Sequence, residues 1–171
     1  MGSQLNGQLC AICGQKSLAL SEELIDVPHF GKTYIFSMSC GSCKFHKSDI
    51  EAAEQHPPAR YTFEVNGKDD ISVKIVKSSE ATVKIPHIIT ITPGPDAEGY
   101  FTNVEGLLQR VISAIQSARD SAEDEEDKKK AKNLLKKLDK VIWGDEKLKI
   151  IIEDPSGNSA IISERAVQGK L

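Results

Sequence analysis

The sequence has no long apolar run, no recognisable leader and no surplus of positive charge. No stretch approaches the roughly 18 consecutive apolar residues of a transmembrane helix. The first residues, MGSQLNGQL, contain neither a charged start nor an apolar core, so we expect no signal peptide and a cytoplasmic protein. The net charge of −3 and the pI of about 5.8 argue against nucleic acid as the main partner, because phosphate binding favours a basic excess.

Common catalytic motifs are also missing. Gly94 and Gly99 are spaced as in a P-loop, but Tyr100 and Phe101 follow where Lys and Ser or Thr are required. The sequence contains no G-x-G-x-x-G, no G-x-S-x-G and no H-x-H, which are typical of dinucleotide-binding proteins, α/β-hydrolases and cupin-type metal sites. We therefore expect a protein that is not an enzyme.

The four cysteines form two C-x-x-C pairs, CAIC at Cys10 and Cys13 and CGSC at Cys40 and Cys43. In a chain without a secretory signal this spacing indicates a metal site rather than disulfides. Two cysteines three apart on a tight turn aim both sulfurs at one point, and two such turns supply four thiolates at tetrahedral angles around Zn²⁺. We predict one structural zinc ion in a zinc ribbon.

Two alternatives concern the identity of the metal and of its ligands at this site. Iron in a rubredoxin-like site is one alternative to zinc, and replacement of a cysteine ligand by His29 or His46 is another. Glycines near the pairs suggest where the knuckles need positive φ, namely Gly14 after the first pair and Gly41 inside the second.

Beyond the cysteines, a period-two pattern predicts strands in YTFEV, ISVKIV and ATVKIPHIITI, and again in KLKIIIE and SAIIS. Between these strands the period changes to 3.6. The spacing predicts one helix capped by Thr102 and Glu105 and a second beginning near Ser121. The pattern favours a zinc ribbon over residues 1–55 and a β sandwich or barrel over 56–171, with a helical hairpin inserted at about 102–143.

Several stretches together resemble the ZPR-type zinc-finger family of archaea and eukaryotes. They are CAICG, VPHFGK, YIFSMSC with its CGSC pair, SSEATVKIP, ITPGPDAEGYFTNVEGLLQR and EDPSGNS. The resemblance implies a mainly β protein with an inserted α-hairpin, in which a Cys₄ zinc ribbon precedes a double-stranded β-helix (jelly-roll-like) domain. It implies one such module here, as in archaeal-type members, whereas eukaryotic members have two. It also implies that the four cysteines hold the zinc.

The resemblance further implies a function. Eukaryotic members bind translation elongation factor 1-alpha and assist its folding, so we expect a non-catalytic protein that binds this factor or its archaeal counterpart. The family-specific loop makes Asp96, Glu98, Tyr100 and Phe101 a candidate partner surface. Two alternatives remain. One is an adaptor that binds RNA or the ribosome through lysines of the ribbon, and the other is a β domain that binds a small molecule or is enzymatic. The lysines are Lys16, Lys32, Lys44 and Lys47.

Overall fold

A computed structural model describes residues 2–27, 30–54 and 56–171. The described chain contains three antiparallel sheets and two α-helices. The predicted architecture, mainly β with an inserted α-hairpin and a zinc ribbon ahead of a jelly roll, is confirmed. No helix in the described part of the chain is both long and apolar enough to cross a bilayer.

The N-terminal sheet has four strands that follow one another in space as they do in sequence. They are β1 (Ser3–Gln8), β2 (Leu18–Val27), β3 (Gly31–Cys40) and β4 (His46–Ala52). The two cysteine pairs lie at the same end of the sheet. The first is in the β1–β2 connection, and the second begins with the last residue of β3 and continues into the β3–β4 connection. Pro28 and His29, between β2 and β3 in the chain, lie outside the described residues.

The remaining strands form the two sheets of the jelly roll. The larger sheet has the order β12-β5-β10-β7-β8, and the smaller has the order β11-β6-β9. Their bounds are β5 (Ala59–Val65), β6 (Lys74–Lys77), β7 (Thr82–Ile85), β8 (Ile89–Ile91), β9 (Tyr100–Asn103), β10 (Leu148–Asp154), β11 (Ala160–Ile162) and β12 (Val167–Lys170). A short 3-10 helix over Lys68–Ser72 precedes β6.

The helical hairpin lies between β9 and β10 in the chain and closes the jelly-roll core. Helix α1 spans Val104–Ser121 and helix α2 spans Glu125–Trp143. The apolar stripe of α1 is buried, and it packs with Phe63, Ile150 and Leu138 into one cluster. The stripe consists of Val104, Leu107, Leu108, Val111, Ile112 and Ile115. Burial of such a stripe against a sheet, rather than helix propensity, supplies most of the stability of a helix in a protein.

Two predicted helix starts are wrong. The N-cap of α1 is Asn103, whose side chain accepts a hydrogen bond of 2.8 Å from the amide of Gly106, while Thr102 still belongs to β9. Ser121 ends α1, and α2 begins after Asp124, whose carboxylate caps it through the amide of Glu126. Asn and Asp are as good N-caps as Thr, so local sequence offers several starts and the packing of the stripe selects one.

The ribbon and the jelly roll share an apolar cluster. Val27, Phe30 and Ile50 of the N-terminal part pack with Val76 of β6 and Ala160 of β11. The division into residues 1–55 and 56–171 stays a prediction, and Gln55 at the proposed boundary lies outside the described residues.

Candidate metal centre

Two matching turns present the four sulfurs. In the first, the amide of Gly14 donates to the carbonyl of Cys10 at 2.8 Å and the amide of Cys10 donates to Gln15 at 2.9 Å. In the second, the amide of Lys44 donates to Cys40 at 3.1 Å and the amide of Cys40 donates to Phe45 at 2.8 Å. The same ring of backbone hydrogen bonds therefore folds both C-x-x-C pairs.

The two turns also share one left-handed residue directly after the second cysteine. Gly14 has φ 69° and Lys44 has φ 62°. The expectation of positive φ holds at Gly14 but is wrong at Gly41, whose φ lies outside the left-handed range. The second knuckle places its strained residue at a lysine, where the Nζ donates to the carbonyl of Gly41 at 3.1 Å.

The sulfurs have the spacing that a tetrahedral metal requires. All four Sγ atoms lie within 4.8 Å of one another. Cys10 and Cys43 are 3.8 Å apart, and Cys13 and Cys40 are 3.7 Å apart. Four ligands about 2.3 Å from a central zinc at tetrahedral angles are about 3.8 Å apart from one another. The donor set thus fits one zinc ion, and a shell closed by four thiolates leaves no position for a reacting water.

The surroundings of Cys40 and Cys43 shift the pKa values of their thiols in opposite directions. The amide of Cys43 and the hydroxyl of Ser17 lower the pKa of Cys40 to about 6. The amide of Phe45 likewise favours the thiolate of Cys43, but lost hydration and the three other sulfurs together raise the pKa of that thiol to about 12. The thiolate of Cys43 is thus disfavoured among the other sulfurs, and a bound Zn²⁺ would supply the compensating positive charge.

Ser17 supports the site from outside the cysteine set. Its Oγ lies 3.2 Å from the sulfur of Cys40 and 2.8 Å from the Oγ of Ser42, and its carbonyl accepts from the amide of Gly41 at 3.0 Å. Such outer contacts orient metal ligands. Ser17 is not predicted from local sequence, because only the β2–β3 pairing brings it to the second knuckle.

Of the two histidines considered as alternative metal ligands, the structure describes His46. His46 lies at the start of β4, where its Nδ1 is 2.9 Å from the Oγ of Ser39. In the described residues the metal-ligating group at this end of the sheet consists of the four cysteines. His29 lies outside the described residues.

Comparison with known proteins agrees with this geometry. Residues 7–58 match the ZPR1 zinc-finger domain, and residues 69–170 match the ZPR1 jelly-roll domain. The chain belongs to the ZPR1 family. The resemblance predicted from the motifs is confirmed, and the family assignment makes zinc the ion for which the four cysteines are positioned.

Relatives of similar length occur in archaea. An uncharacterized ZPR1-like protein of Methanocaldococcus jannaschii is 39% identical over 91% of this chain and 79% of its own length. Another, from Pyrococcus horikoshii, is 34% identical over 95% of this chain and 75% of its own. The zinc finger chaperone zpr1 of Schizosaccharomyces pombe is 31% identical, and the chain spans 35% of its length.

The candidate partner residues of this ZPR1 chain do not form one continuous surface. Asp96 is exposed in the loop before β9, and Phe101 is 42% exposed. Tyr100 packs against the jelly-roll core instead, with the Arg110 guanidinium 4.2 Å from the centre of its ring. Burial raises the pKa of Tyr100, although the nearby guanidinium opposes this. Adjacent strand residues point to opposite faces, so Tyr100 and Phe101 diverge, and Glu98 is half-buried.

The same loop touches the zinc ribbon through Gly99. Its amide donates to the carbonyl of Ser48 at 3.2 Å, and the Ser48 hydroxyl donates back to the Gly99 carbonyl at 3.0 Å. A Cβ at this position would lie 2.8 Å from the backbone nitrogen of Ile50. Glycine is therefore required at this position because β4 passes too close to leave room for a side chain, and not only because of the conformation of the loop.

Two other family-specific stretches, SSEATVKIP and EDPSGNS, contact each other through side-chain hydrogen bonds. Asp154 is fully buried, and its Oδ2 accepts from the hydroxyls of Ser78, at 2.7 Å, and Ser159. Ser79, next in the chain, donates from its hydroxyl to Asp49 of β4 at 2.9 Å. Asn158 accepts from the amide of Ala52 at 3.1 Å. The bonds of Ser79 and Asn158 hold the jelly roll to the ribbon. The hydroxyls around Asp154 satisfy a carboxylate that would be costly to bury without hydrogen bonds.

Proposed function

We propose that the protein is not an enzyme and acts by protein–protein contact, with the zinc in a structural role. The closed four-thiolate geometry carries this proposal, because a zinc ion whose ligands all come from the protein cannot activate water. The name of the fission-yeast relative, a zinc finger chaperone, supports action on another protein. The absence of the common catalytic motifs from the sequence is consistent with it.

The interior of the jelly roll also supports this role. Large apolar side chains, including Phe63, Ile75, Leu107 and Ile150, are fully buried between its sheets and the hairpin. Small-molecule sites are concave and combine apolar walls with a few polar groups. A core filled in this way favours a binding scaffold over a barrel that holds a substrate.

We propose translation elongation factor 1-alpha, or its archaeal counterpart, as the client, and the cytoplasm as the location. The factor is the client that the family resemblance implies. The test is a calorimetric titration of the zinc-loaded protein with the recombinant factor, both nucleotide-free and bound to GDP. We expect a dissociation constant below about 10 μM. Weaker binding to both forms would refute the client assignment.

The candidate loop is proposed as part of the contact. Glu98→Lys should weaken client binding, because it reverses a charge on the family-specific segment beside the ribbon. Glu164→Lys is the matched control, since it makes the same charge change at an exposed site before β12. Equal client affinity of the two variants would remove the loop from the interface.

A further inference from the structure

The outer face of the ribbon sheet is apolar although it faces solvent. Residues paired directly across antiparallel strands lie on one face of a sheet. Leu5 pairs with Leu20 and Leu20 with Met38, while Leu24 pairs with Tyr34. Together with Phe36 these side chains form what we call the ribbon face: Leu5, Leu20, Leu24, Tyr34, Phe36 and Met38.

The opposite face of this sheet is already buried. Ile25 and Ile35 alternate with ribbon-face residues along β2 and β3, and they pack with Ile50 of β4 into the cluster shared with the jelly roll. An antiparallel sheet with one buried face ordinarily has a polar second face. The ribbon sheet departs from this pattern, because apolar side chains of β1, β2 and β3 also occupy part of its second face.

The ribbon face has room for a ligand. Leu5, Leu20, Phe36 and Met38 line a groove of about 330 Å³. Leu5 is 59% exposed, and the others are half-buried. The rings of Tyr34 and Phe36 stack at 6.1 Å. A contiguous apolar patch on a soluble protein marks an interaction site.

Charges around the patch define the partner. Glu22 on β2 pairs with Phe36, and Glu51 on β4 pairs with Tyr34. Asp49, on the other side of Phe36, accepts a hydrogen bond from Ser79 of the jelly roll and is therefore already engaged within the protein. Lys47, beside Met38, is the basic residue in these cross-strand rows. Among the described residues, neither Glu22 nor Glu51 forms an ion pair. An apolar patch flanked mainly by carboxylates is complementary to an apolar segment flanked by lysine or arginine.

We infer that the ribbon face binds an amphipathic helix of a partner protein, with lysines or arginines beside its apolar stripe. A sheet buries an apolar face by acquiring a second layer. The ribbon face lies on three strands about 4.8 Å apart and is therefore roughly 10 Å wide, which fits one helix of about 10–12 Å in diameter. The inference rests on the proposed function, in that the helix belongs to a client protein.

The test uses a synthetic helix of known chemistry. One peptide of roughly 18 residues has leucines at i, i+3, i+4 and i+7 and lysines elsewhere, and a second has glutamate in place of every lysine. Each is titrated into the full-length, zinc-loaded protein while backbone amide shifts are recorded. We expect the lysine peptide to bind with a dissociation constant below about 100 μM and to shift amides of β2 and β3. Weaker binding, equal binding of both peptides, or shifts confined to the helical hairpin would overturn the inference.

Two sets of variants localise the contact. Replacing Phe36 and Met38 by serine should weaken binding of the lysine peptide at least tenfold. The matched control replaces Trp143 and Val167, which are 70% and 66% exposed on other elements, and should leave it unchanged. Zinc content and melting temperature show that each variant is folded.

Charge reversal gives a second readout that leaves the packing intact. Glu22→Lys combined with Glu51→Lys should weaken the lysine peptide at least tenfold and strengthen the glutamate peptide. An unchanged preference between the peptides would contradict the charge argument.

The client titration separates this inference from the proposed function. If wild type and the Phe36/Met38 serine variant bind the elongation factor equally, the ribbon face is not the docking site, and the proposed function stands. If the factor fails to bind the wild type while the lysine peptide binds the ribbon face, the client assignment fails alone.

Discussion

Replacement of Gly99 by alanine tests whether the family-specific loop holds the ribbon to the jelly roll. The new Cβ would lie 2.8 Å from the backbone nitrogen of Ile50 and 2.9 Å from its Cγ1. Because a backbone atom in a paired strand cannot rotate away, β4 or the loop must shift. Overpacking of this kind costs about 1–3 kcal/mol, and weakening the two Gly99–Ser48 hydrogen bonds adds about 0.5–1.5 kcal/mol each.

The unfolded state partly offsets this loss, because alanine has less freedom than glycine there, by about 0.4–1 kcal/mol. We therefore expect the free energy of unfolding to fall by about 2–4 kcal/mol. For a chain of this size, that corresponds to a melting temperature lower by roughly 6–12 °C.

Gly94→Ala in the same loop is the matched control. A Cβ there meets no atom within 4 Å, and its φ is not left-handed, so this variant should be as stable as wild type or slightly more stable. Thermal unfolding is followed by circular dichroism at 222 nm for the helices and by zinc release to a colorimetric chelator for the ribbon. If the two variants unfold within about 0.5 kcal/mol of each other, the close approach at Gly99 does not hold the two parts together.

Four further outcomes are expected. Gly14→Ala should cost about 1 kcal/mol because its φ is left-handed, whereas Gly41→Ala should cost less than half of that; chelator competition for zinc compares them. Asn103→Ala should lower stability by about 1 kcal/mol in urea because it removes the N-cap of α1, and Thr102→Ala should lower it less. Desolvation raises the pKa of Asp70, but the amide of Asn66 and the guanidinium of Arg165 outweigh it and lower that pKa below its ordinary value of 3.8. This stabilisation is therefore present above that pH and is lost as the pH falls through the lowered pKa, so Asp70→Asn should flatten the acid limb of a stability–pH curve. Chelation of zinc should unfold the ribbon, because metal binding supplies its folding free energy, and should leave most of the helical signal; loss of that signal would show that the jelly roll depends on the ribbon.

The metal centre and the apolar stripe of α1 could be predicted from local sequence. A C-x-x-C pair places two sulfurs by its own turn geometry, and two pairs satisfy a tetrahedral ion wherever they fall in the chain. In the same way, the 3.6-residue period of Leu107, Leu108 and Val111 defines a buried helix face without any knowledge of its partner. Both features depend on neighbours only a few residues apart.

Other features were decided by tertiary contacts. Gly99 is needed because β4, about 50 residues earlier in the chain, passes against it. In the ribbon sheet, Leu24 and Phe36 alternate with Ile25 and Ile35, so the sequence places apolar residues on both faces. The two-residue period of a strand therefore does not show which face is buried. Only the docking of the jelly roll against Ile25 and Ile35 assigns them to the interior, and it leaves Leu24 and Phe36 on the outside for a partner.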